Sequence, residues 1–554
     1  MKTLYKKTFL IIILIGIISC NDDDFLEENP KTFYTVENIF SSGDQVDQVV
    51  ISMYSRLRRF KFFNAQMQGL GTDVLDAPEF RISSSFSDYS RINPESAQFE
   101  SVYDFYYQLI ALSNTALQAA GEENISFNSE EIRSYIIAQA RFFRAYAHGM
   151  LAELFGGVPI VEELVKEPRY DFKRSTRVET YQFAIDELEA ILPDLPETTT
   201  QAGRIVKGAA LHYLSEFYLA LGTETNDQVA FDKSISYASE IIDGDIYSLM
   251  QSRFGERRNE ENTVTGGADV WWDLFRSGNQ NYSDGNLESI WTLQVDFDAF
   301  IAEDGDSYLN YPRNFSPVYR AIEGFDGVAE DAGGRGVAFY APSPLVKDII
   351  WEENISAGDM RNAPHNISRD IYYNDPNYPD LFGKKVPQSV IDATNEGRGW
   401  IFPIFFKLTT DKFIGLDQGE NRSNIFRDKY VIRLPETILL RAEAYYRKGD
   451  LQKAADDINK IRMRAKCNIL FSSDQVDLDL ILDERARELF VEESRWHTLL
   501  RMGGTVAVDR IKKYALHPHV QSTLTFDYNL WPIPQSAIDR NKDVEMYQNE
   551  GWIR

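Results

Sequence analysis

Apolar residues recur at steps of three and four along much of this chain, which is the pattern of amphipathic α-helices. The strongest case is the stretch 131–161, where the repeating positions are Ile132, Ile136, Ala140, Phe143, Ala147, Met150 and Leu154. Phe142 and Tyr146 widen this stripe, so the helix is predicted to be buried between neighbouring helices. Gly156 and Gly157 supply a left-handed stop after it.

The same periodicity predicts further helices on both sides of this one. They span Val36–Arg59, 100–120, Val178–Leu192, Ile205–Leu221, Val229–Ile242, Pro435–Arg447, Leu451–Lys466 and Leu478–Leu500. Several of these pair as hairpins with small residues at the crossing, such as Ala442 against Ala454, and with glycine in the turn, such as Gly449. This arrangement is typical of tetratricopeptide (TPR) hairpins. The predicted fold class is therefore all-α, with TPR-like helical hairpins forming a scaffold.

Two regions lack helical periodicity. Residues 61–99 are rich in glycine, serine, aspartate and aromatic residues, and a loop of this length inside a compact domain is usually functional. Residues 243–426 hold most of the glycine and tryptophan and many of the prolines, and we interpret them as an irregular insertion with short strands and small helices. One domain is predicted over 36–554, with its helical scaffold at about 36–242 and 427–554 and the ligand site in the insertion.

The N-terminus carries a targeting signal. Lys2, Lys6 and Lys7 precede an apolar run, Phe9 to Ile18, that is too short to span a bilayer comfortably. Because Cys20 follows a small residue directly, residues 1–19 are predicted to be a lipoprotein signal peptide and 20–35 a lipidated tether. The alternative is an ordinary secretory signal with an incidental cysteine.

Composition excludes some partners. The 554 residues include 58 Lys and Arg against 85 Asp and Glu, a net charge of −27, so nucleic acid is an improbable partner. If Cys20 is lipidated, Cys467 has no partner, and the mature protein is expected to contain no disulfide.

No catalytic signature is present: the chain lacks the H-E-x-x-H, G-x-S-x-G and P-loop patterns. His517 and His519 flank a proline and do not share a helix face, and Asp304 and Asp306 lack the other ligands of a calcium loop. We therefore predict no enzyme activity, no cofactor and no metal site.

Charged residues at helical spacing are interpreted as structural. Glu484, Arg487 and Glu488 are placed to form ion pairs that fix helix packing, and the same reading applies to Arg141 and Arg144. Buried arginines need carboxylate or carbonyl partners. The candidate carboxylates are Glu443, Glu484 and Glu488.

Taken in order, several short motifs make the chain similar to one known family, the SusD/RagB outer-membrane nutrient-binding lipoproteins. They are Cys20 with the acidic run after it, 24–30, Asn114, 141–146, 154–160, Gly203-Arg204, 273–276, 358–361, 433–436, 441–444, 483–489 and 531–534. The resemblance covers almost the whole chain. It implies a protein anchored by lipid in the outer membrane, facing the exterior, that captures an oligo- or polysaccharide and delivers it to a TonB-dependent transporter of the SusC type.

Candidate ligand contacts follow from the chemistry of sugars. Aromatic plates complement the C–H face of a pyranose, and polar side chains complement its hydroxyl rim. Such residues in the two irregular regions are Asp73, Asp76, Arg81, Tyr89, Trp271, Trp272, Asn279, Tyr282, Tyr311, Tyr340 and Trp400. Trp291 lies in an apolar alternating run and is assigned to the core instead. Because Trp271 and Trp272 are adjacent, one of them is expected to be structural.

The function predicted from the sequence is cell-surface glycan binding without catalysis. The alternatives that remain open are a SusD-like protein for peptides or another nutrient, a surface hydrolase, and a TPR scaffold without a small ligand.

Overall fold

The computed structural model describes residues 39–64, 67–81, 85–301, 308–327, 333–409, 424–525 and 529–552. The predicted signal peptide, Cys20 and the tether lie outside these residues. Within the described part of the chain, no helix is both long enough and apolar enough to cross a membrane.

Helices dominate the structure. Before the insertion they are α1 Gly43–Phe63, α2 Ala97–Gly121, α3 Glu130–Phe155, α4 Arg177–Ile191, α5 Lys207–Thr225 and α6 Gln228–Ile242. Short helices follow: α7 Val270–Leu274, α8 Phe297–Ile301, α9 Tyr311–Phe315, α10 Pro344–Lys347, α11 Glu353–Ser356 and α12 Gln388–Asn395. The last group is α13 Leu434–Lys448, α14 Leu451–Arg464, α15 Leu478–Leu489, α16 Arg495–Arg501, α17 Val506–Tyr514, α18 Pro518–Thr523 and α19 Gln535–Arg540.

Six short strands pair in three two-stranded antiparallel ladders. They are β1 Leu75–Asp76 with β3 Ala341–Pro342, β2 Ser289–Leu293 with β6 Lys429–Arg433, and β4 Ile367–Ser368 with β5 Ile404–Phe405. Five of these strands, β2 to β6, lie between α6 and α13, together with the short helices. The predicted irregular character of that region is confirmed.

The helix α3 is central, as its apolar pattern predicted. The Ser129 hydroxyl caps its start by accepting a hydrogen bond from the backbone N–H of Ile132, and Gly156 ends it with φ of 74°. Most of its residues from Ile136 onward are buried. Trp291 of β2 packs edge-on against Phe142, with ring centroids 5.5 Å apart, which confirms its assignment to the core.

Consecutive helices pack side by side. The order of contact runs from α1 through α2, α3, α4, α5 and α6, and α6 then packs against α13 across the insertion. α13 and α14 form a hairpin whose turn uses Gly449 at φ of 80°. The predicted all-α fold of helical hairpins is therefore confirmed.

Two predicted helix boundaries are wrong. The first helix begins at Gly43 rather than Val36, because Ser42 has an extended backbone. The single helix predicted over Leu478–Leu500 is two helices, α15 and α16. Val491 has φ of 62° in the break between them, and this turn directs Glu492 and Glu493 toward arginines of the interior.

A network of buried charges joins the insertion to the helical body. We call Glu288, Arg361, Arg433, Arg464, Glu484 and Glu488 the interior network; their side chains are at most 1% exposed. Glu488 contacts Arg433 at 2.7 Å and Arg361 at 3.0 Å, and it also pairs with Arg464. Burial raises the pKa of Glu488, but the three arginines lower it by more, so the carboxylate is charged. Glu484 and Glu488 thus have the structural role predicted for them.

The other arginines of that prediction are structural as well. Arg141 and Arg144 on α3 both pair with Glu187 of α4, each at 2.7 Å. Glu443 pairs with Arg501 of α16 at 2.8 Å. All of these contacts join one helix to another, so they fix packing.

Candidate ligand-binding surface

Seven side chains from three separate segments meet on one face of the protein. We call them the arginine–aromatic patch: Phe80, Arg81, Arg313, Phe339, Tyr340, Arg398 and Trp400. The Arg81 guanidinium carbon lies 4.1 Å from the ring centre of Phe339 and 4.8 Å from that of Phe80. Arg398 covers Trp400 at 4.5 Å, and Trp400 meets Phe80 edge-on with ring centroids 5.1 Å apart. The result is a continuous surface of aromatic and guanidinium planes.

The first segment is held by the β1–β3 ladder. Asp76 pairs with Ala341 in this ladder, so the residues that follow β1 and those that precede β3 lie side by side. A short 3-10 turn, Glu79–Arg81, then presents Phe80 and Arg81 next to Phe339. Phe80 is 37% exposed although it is a large apolar side chain. Phe80 is therefore accessible to a ligand.

The second segment is a tight turn after α12. The backbone N–H of Phe80 donates to the Arg398 carbonyl at 3.2 Å, which joins this turn to the first segment. Gly399 has φ of 61°, and a Cβ there would lie 3.3 Å from the Glu79 nitrogen, so glycine allows the close approach. The Trp400 indole N–H donates to the Thr394 carbonyl at 3.0 Å, which fixes the ring orientation.

The third segment is the helix α9 with the strand-like residues beside it. The Arg313 carbonyl accepts a hydrogen bond from Val337, and the Asn314 carbonyl accepts one from Tyr340 at 2.9 Å. The guanidinium of Arg313 lies 5.6 Å from the Phe339 ring centre, beside the ring that Arg81 also contacts. Two cations therefore share one aromatic ring.

No carboxylate neutralises the patch among the residues that the structure describes. Arg81, Arg313 and Arg398 form no ion pair and no side-chain hydrogen bond there, and the Arg81 Nε is buried without an acceptor. Glu79 and Glu396 flank the patch in sequence and are exposed, yet neither pairs with these arginines. In a chain with net charge −27, three unpaired arginines on one face form a local positive surface.

The titration of two patch residues reflects this environment. Partial burial lowers the pKa of Arg81, and the positive charge of Arg313 lowers it further. Burial raises the pKa of Tyr340 to about 12, with a small opposing effect from Arg81. Tyr340 is therefore a neutral phenol at physiological pH, able to donate and accept hydrogen bonds.

Three of the residues predicted as ligand contacts meet in the patch: Arg81, Tyr340 and Trp400. They come from the loop 61–99 and from two distant parts of the insertion. The structure thus brings together residues that are more than 300 positions apart in sequence, from Arg81 to Trp400.

Three other predicted contacts in the first loop hold the loop in place instead. Asp73 is buried and pairs with Arg495 at 2.6 Å and Arg510 at 3.0 Å. Asp76 is buried and accepts a hydrogen bond from the backbone N–H of Ala77 at 2.7 Å. Tyr89 is buried and donates to the Gly71 carbonyl at 2.6 Å. The expectation that these three contact ligand is corrected, because their polar groups face the interior.

Four predicted contacts in the insertion are also interior. Trp271 and Trp272 both lie on α7 rather than in extended backbone, and each is buried in a separate apolar cluster. Arg276 covers Trp272 at 3.6 Å from the ring centre. Asn279 is fully buried and donates to the Asp273 carbonyl, and Tyr311 is buried against Phe315. These side chains support the fold, and the expectation for them is corrected too.

Tyr282 lies elsewhere. It is half-buried beside Tyr247, with ring centroids 5.7 Å apart, and lines a cavity of about 40 Å³ together with Trp291. This cavity holds little more than one water molecule. Tyr282 is therefore not part of the patch.

Four members of the patch were not among the predicted contacts: Phe80, Arg313, Phe339 and Arg398. A signal was available for two of them, since Phe80-Arg81 and Arg398-Gly399-Trp400 each place an arginine next to an aromatic residue inside a loop. Arg313 and Phe339 carry no such local signal, because only the tertiary fold brings them to Arg81.

A groove lies on the helical body. This groove of about 390 Å³ is largely apolar and lies between α2 and the segment after α3, with Tyr103, Tyr107, Val161 and Phe172 in its wall. Two of its polar side chains are already used: Tyr107 donates to the Pro159 carbonyl at 2.7 Å, and Asn114 donates to those of Val161 and Glu163. These two side chains are therefore engaged in holding the wall of the groove.

Comparison with known proteins places this chain among proteins of one family. The sequence model described as "SusD family" matches residues 405–552, and the one described as "Starch-binding associating with outer membrane" matches residues 24–219. SusD-like protein P2 from Formosa agariphila is 23% identical over 99% of both chains. The starch-binding protein SusD from Bacteroides thetaiotaomicron is 25% identical over 75% of this chain and 72% of its own.

A solved structure shares the fold. It is surface glycan-binding protein A from Bacteroides thetaiotaomicron in complex with laminarihexaose, with a TM-score of 0.62 and 17% identity over 92% of this chain and 99% of that one. This chain belongs to the SusD/RagB family.

Proposed function

We propose that this protein binds an oligo- or polysaccharide at the cell surface, and that the arginine–aromatic patch is its binding site. The observation that carries the proposal is the set of aromatic planes formed by the exposed Phe80 and the half-buried Phe339 and Trp400, bordered by unpaired donors. Stacking on pyranose faces uses the planes, and the sugar hydroxyls use the guanidinium groups and the Tyr340 hydroxyl.

The relatives support this choice. One similar protein is named for starch binding, and a protein of the same fold was solved with a bound glucan oligosaccharide. The ligand of this chain is a proposal of its own, since these relatives are at most 25% identical to it.

Binding without catalysis is part of the proposal. Most glycosidases use two carboxylic acids that flank the scissile bond. None of the seven patch residues has a carboxyl group. Incubation of the purified protein with its polysaccharide should release no new reducing ends. Product formation that a single Asp or Glu substitution abolishes would contradict the proposal.

The cellular setting also remains a proposal. The chain is anchored through lipid on Cys20 in the outer membrane, faces the exterior, and passes its ligand to a TonB-dependent SusC-like transporter. Cys20→Ala should move the protein from the membrane to the soluble fraction. Affinity purification of the tagged protein from detergent-solubilised outer membranes should retrieve such a transporter, and its absence would remove the partner.

The binding site is tested by affinity electrophoresis or calorimetry against a panel of polysaccharides. Phe339→Ala removes the ring that Arg81 and Arg313 share and should abolish retention by any polysaccharide that the unmodified protein binds. Retention that persists in a folded Phe339→Ala variant would place the site elsewhere. Peptide binding in the absence of any polysaccharide binding would favour the peptide-binding alternative.

A further inference from the structure

The charges in this molecule are distributed unevenly. Lys and Arg number 58 against 85 Asp and Glu, so acidic groups are in excess and a surface arginine would ordinarily find one. Some exposed arginines elsewhere do so: Arg169 lies 2.9 Å from Asp171, and Arg540 lies 3.3 Å from Glu100. No described carboxylate contacts any of the three arginines of the patch, although they lie together on one face.

The patch arginines are held by aromatic faces instead. Arg81 is stacked between Phe80 and Phe339, and Arg398 is stacked on Trp400. A guanidinium that rests on a ring keeps the N–H groups at its edge available for hydrogen bonds in its own plane. That edge matches a carboxylate or a sulfate, which can accept two parallel hydrogen bonds from one arginine.

From this geometry we propose that the patch selects an anionic glycan, one whose sugars carry carboxylate or sulfate groups, and that Arg81, Arg313 and Arg398 bind those groups while the rings of the patch contact the sugars. This inference rests on the proposed function and narrows its ligand class. It differs from a neutral-glucan site, for which three unpaired cations would have no counterpart on the ligand.

Two further observations support the assignment. Arg81 and Arg313 share the ring of Phe339, and their mutual repulsion contributes to the lowered pKa of Arg81. A bound anion would relieve this repulsion and would satisfy the buried Arg81 Nε. The overall charge of −27 repels polyanions from the rest of the surface, so an anionic polymer that binds at all is directed to this face.

The test uses polymers in matched pairs. Dextran sulfate and dextran share a backbone and differ in sulfate, and polygalacturonate and its methyl ester share a backbone and differ in charge. Affinity electrophoresis or calorimetry should show that the charged member of at least one pair binds about tenfold more tightly or better, which is the preference expected from a charge-assisted pair. The polymer pair that shows the larger preference for its charged member indicates whether the site favours sulfate or carboxylate.

Variants then locate the charge recognition. The double variant Arg81→Gln with Arg398→Gln should remove the preference for the charged polymer, while weak binding of the neutral polymer changes less than about twofold. Arg258→Gln is the control, because Arg258 is exposed outside the patch and its substitution also removes a positive charge, one where the double variant removes two. Arg81→Lys in place of Arg81→Gln should restore part of the preference for the charged polymer, since lysine carries the positive charge but lacks the planar guanidinium group. Unchanged unfolding midpoints verify that each variant is folded.

The outcomes separate the two proposals. Equal binding of neutral and charged polymers overturns the anionic ligand and leaves glycan binding intact. Preference for the charged polymer that survives the double variant also overturns the inference. Binding of poly-glutamate that equals polygalacturonate overturns glycan selectivity, and failure of every polysaccharide overturns the proposed function itself.

Discussion

Arg433 lies inside the protein with Glu288 at 2.8 Å, Glu488 at 2.7 Å and Glu492 at 2.9 Å, whereas Arg398 lies on the surface against Trp400 with no described carboxylate in contact. The two arginines have the same chemistry and opposite surroundings. In the interior, a charge is tolerated only when paired, because an unpaired ion loses its hydration without compensation. At the surface, water solvates the unpaired cation.

This contrast separates structure from function. The motifs that make the family recognisable, such as 433–436 and 483–489, contribute to the interior network and its neighbours. The patch is built by loops and short helices, and its arginines keep donors that the fold does not use. We assign a structural role to an arginine that pairs with a carboxylate of the protein. We assign ligand binding to an arginine that has no such partner in the fold.

The largest expected effect comes from breaking the interior network. Glu488→Gln removes the charge shared by Arg361, Arg433 and Arg464 with little change in side-chain size. Because it leaves buried cations undercompensated, we expect a loss of about 3–5 kcal/mol in the free energy of unfolding. Arg81→Gln in the patch should cost about 1 kcal/mol or less. Urea unfolding of both variants measures the difference, and similar losses in the two would contradict the distinction.

Lowering the pH should have the next largest effect, and it should reduce stability through the interior network rather than through the patch. Burial raises the pKa of Glu484, but Arg361, Arg462 and Arg487 lower it by more, to about 2, against an ordinary value of 4.5. The stability from this group is therefore present above pH 4.5 and is lost as the pH falls toward 2, by up to about 3 kcal/mol.

The unfolding midpoint measured at successive pH values below 4.5 checks this expectation. Glu436 has the opposite pH dependence. Because burial raises its pKa to about 7, its contribution to stability is lost as the pH rises from 4.5 to 7. A midpoint that stays constant down to pH 2 would show that the carboxylates of the interior network are not held charged by their arginines.

An aromatic substitution in the patch should change affinity more than stability. Phe80→Ala removes a ring that is 37% exposed, and loss of one stacking plate is worth about 1 kcal/mol, or about fivefold in affinity. Phe382→Ala is the matched control, because Phe382 is 53% exposed and lies outside the patch. Calorimetry with the bound polysaccharide compares them, and equal effects of the two substitutions would remove Phe80 from the site.

Salt should produce the smallest effect, and it should distinguish the patch from the interior network without any mutation. Raising ionic strength from about 0.05 M to about 0.5 M shortens the screening length severalfold, so binding of a charged polymer at the exposed arginines weakens by a few fold. The unfolding midpoint changes little, because the interior pairs are inaccessible to ions. Affinity that is independent of salt would argue against charge recognition at the patch.

The sequence predicted the helices well and the site only in part. The stripe of α3 identifies a buried helix because its period is local, and the boundary of α15 failed because the turn at Val491 serves tertiary ion pairs. Aromatic residues in loops carry no local sign of exposure. Trp272 and Trp400 look alike in sequence, yet the first is 1% exposed under Arg276 and the second lies half-buried at the surface.

The most direct measurement is a crystal structure of the protein with an acidic oligosaccharide, such as an oligogalacturonate or a sulfated oligosaccharide that the binding screen identifies. The account predicts a sugar ring in contact with Phe80, Phe339 or Trp400 and a carboxylate or sulfate within hydrogen-bonding distance of Arg81, Arg313 or Arg398. An ordered ligand in the groove lined by Tyr103 and Tyr107, with the patch arginines free, would contradict it.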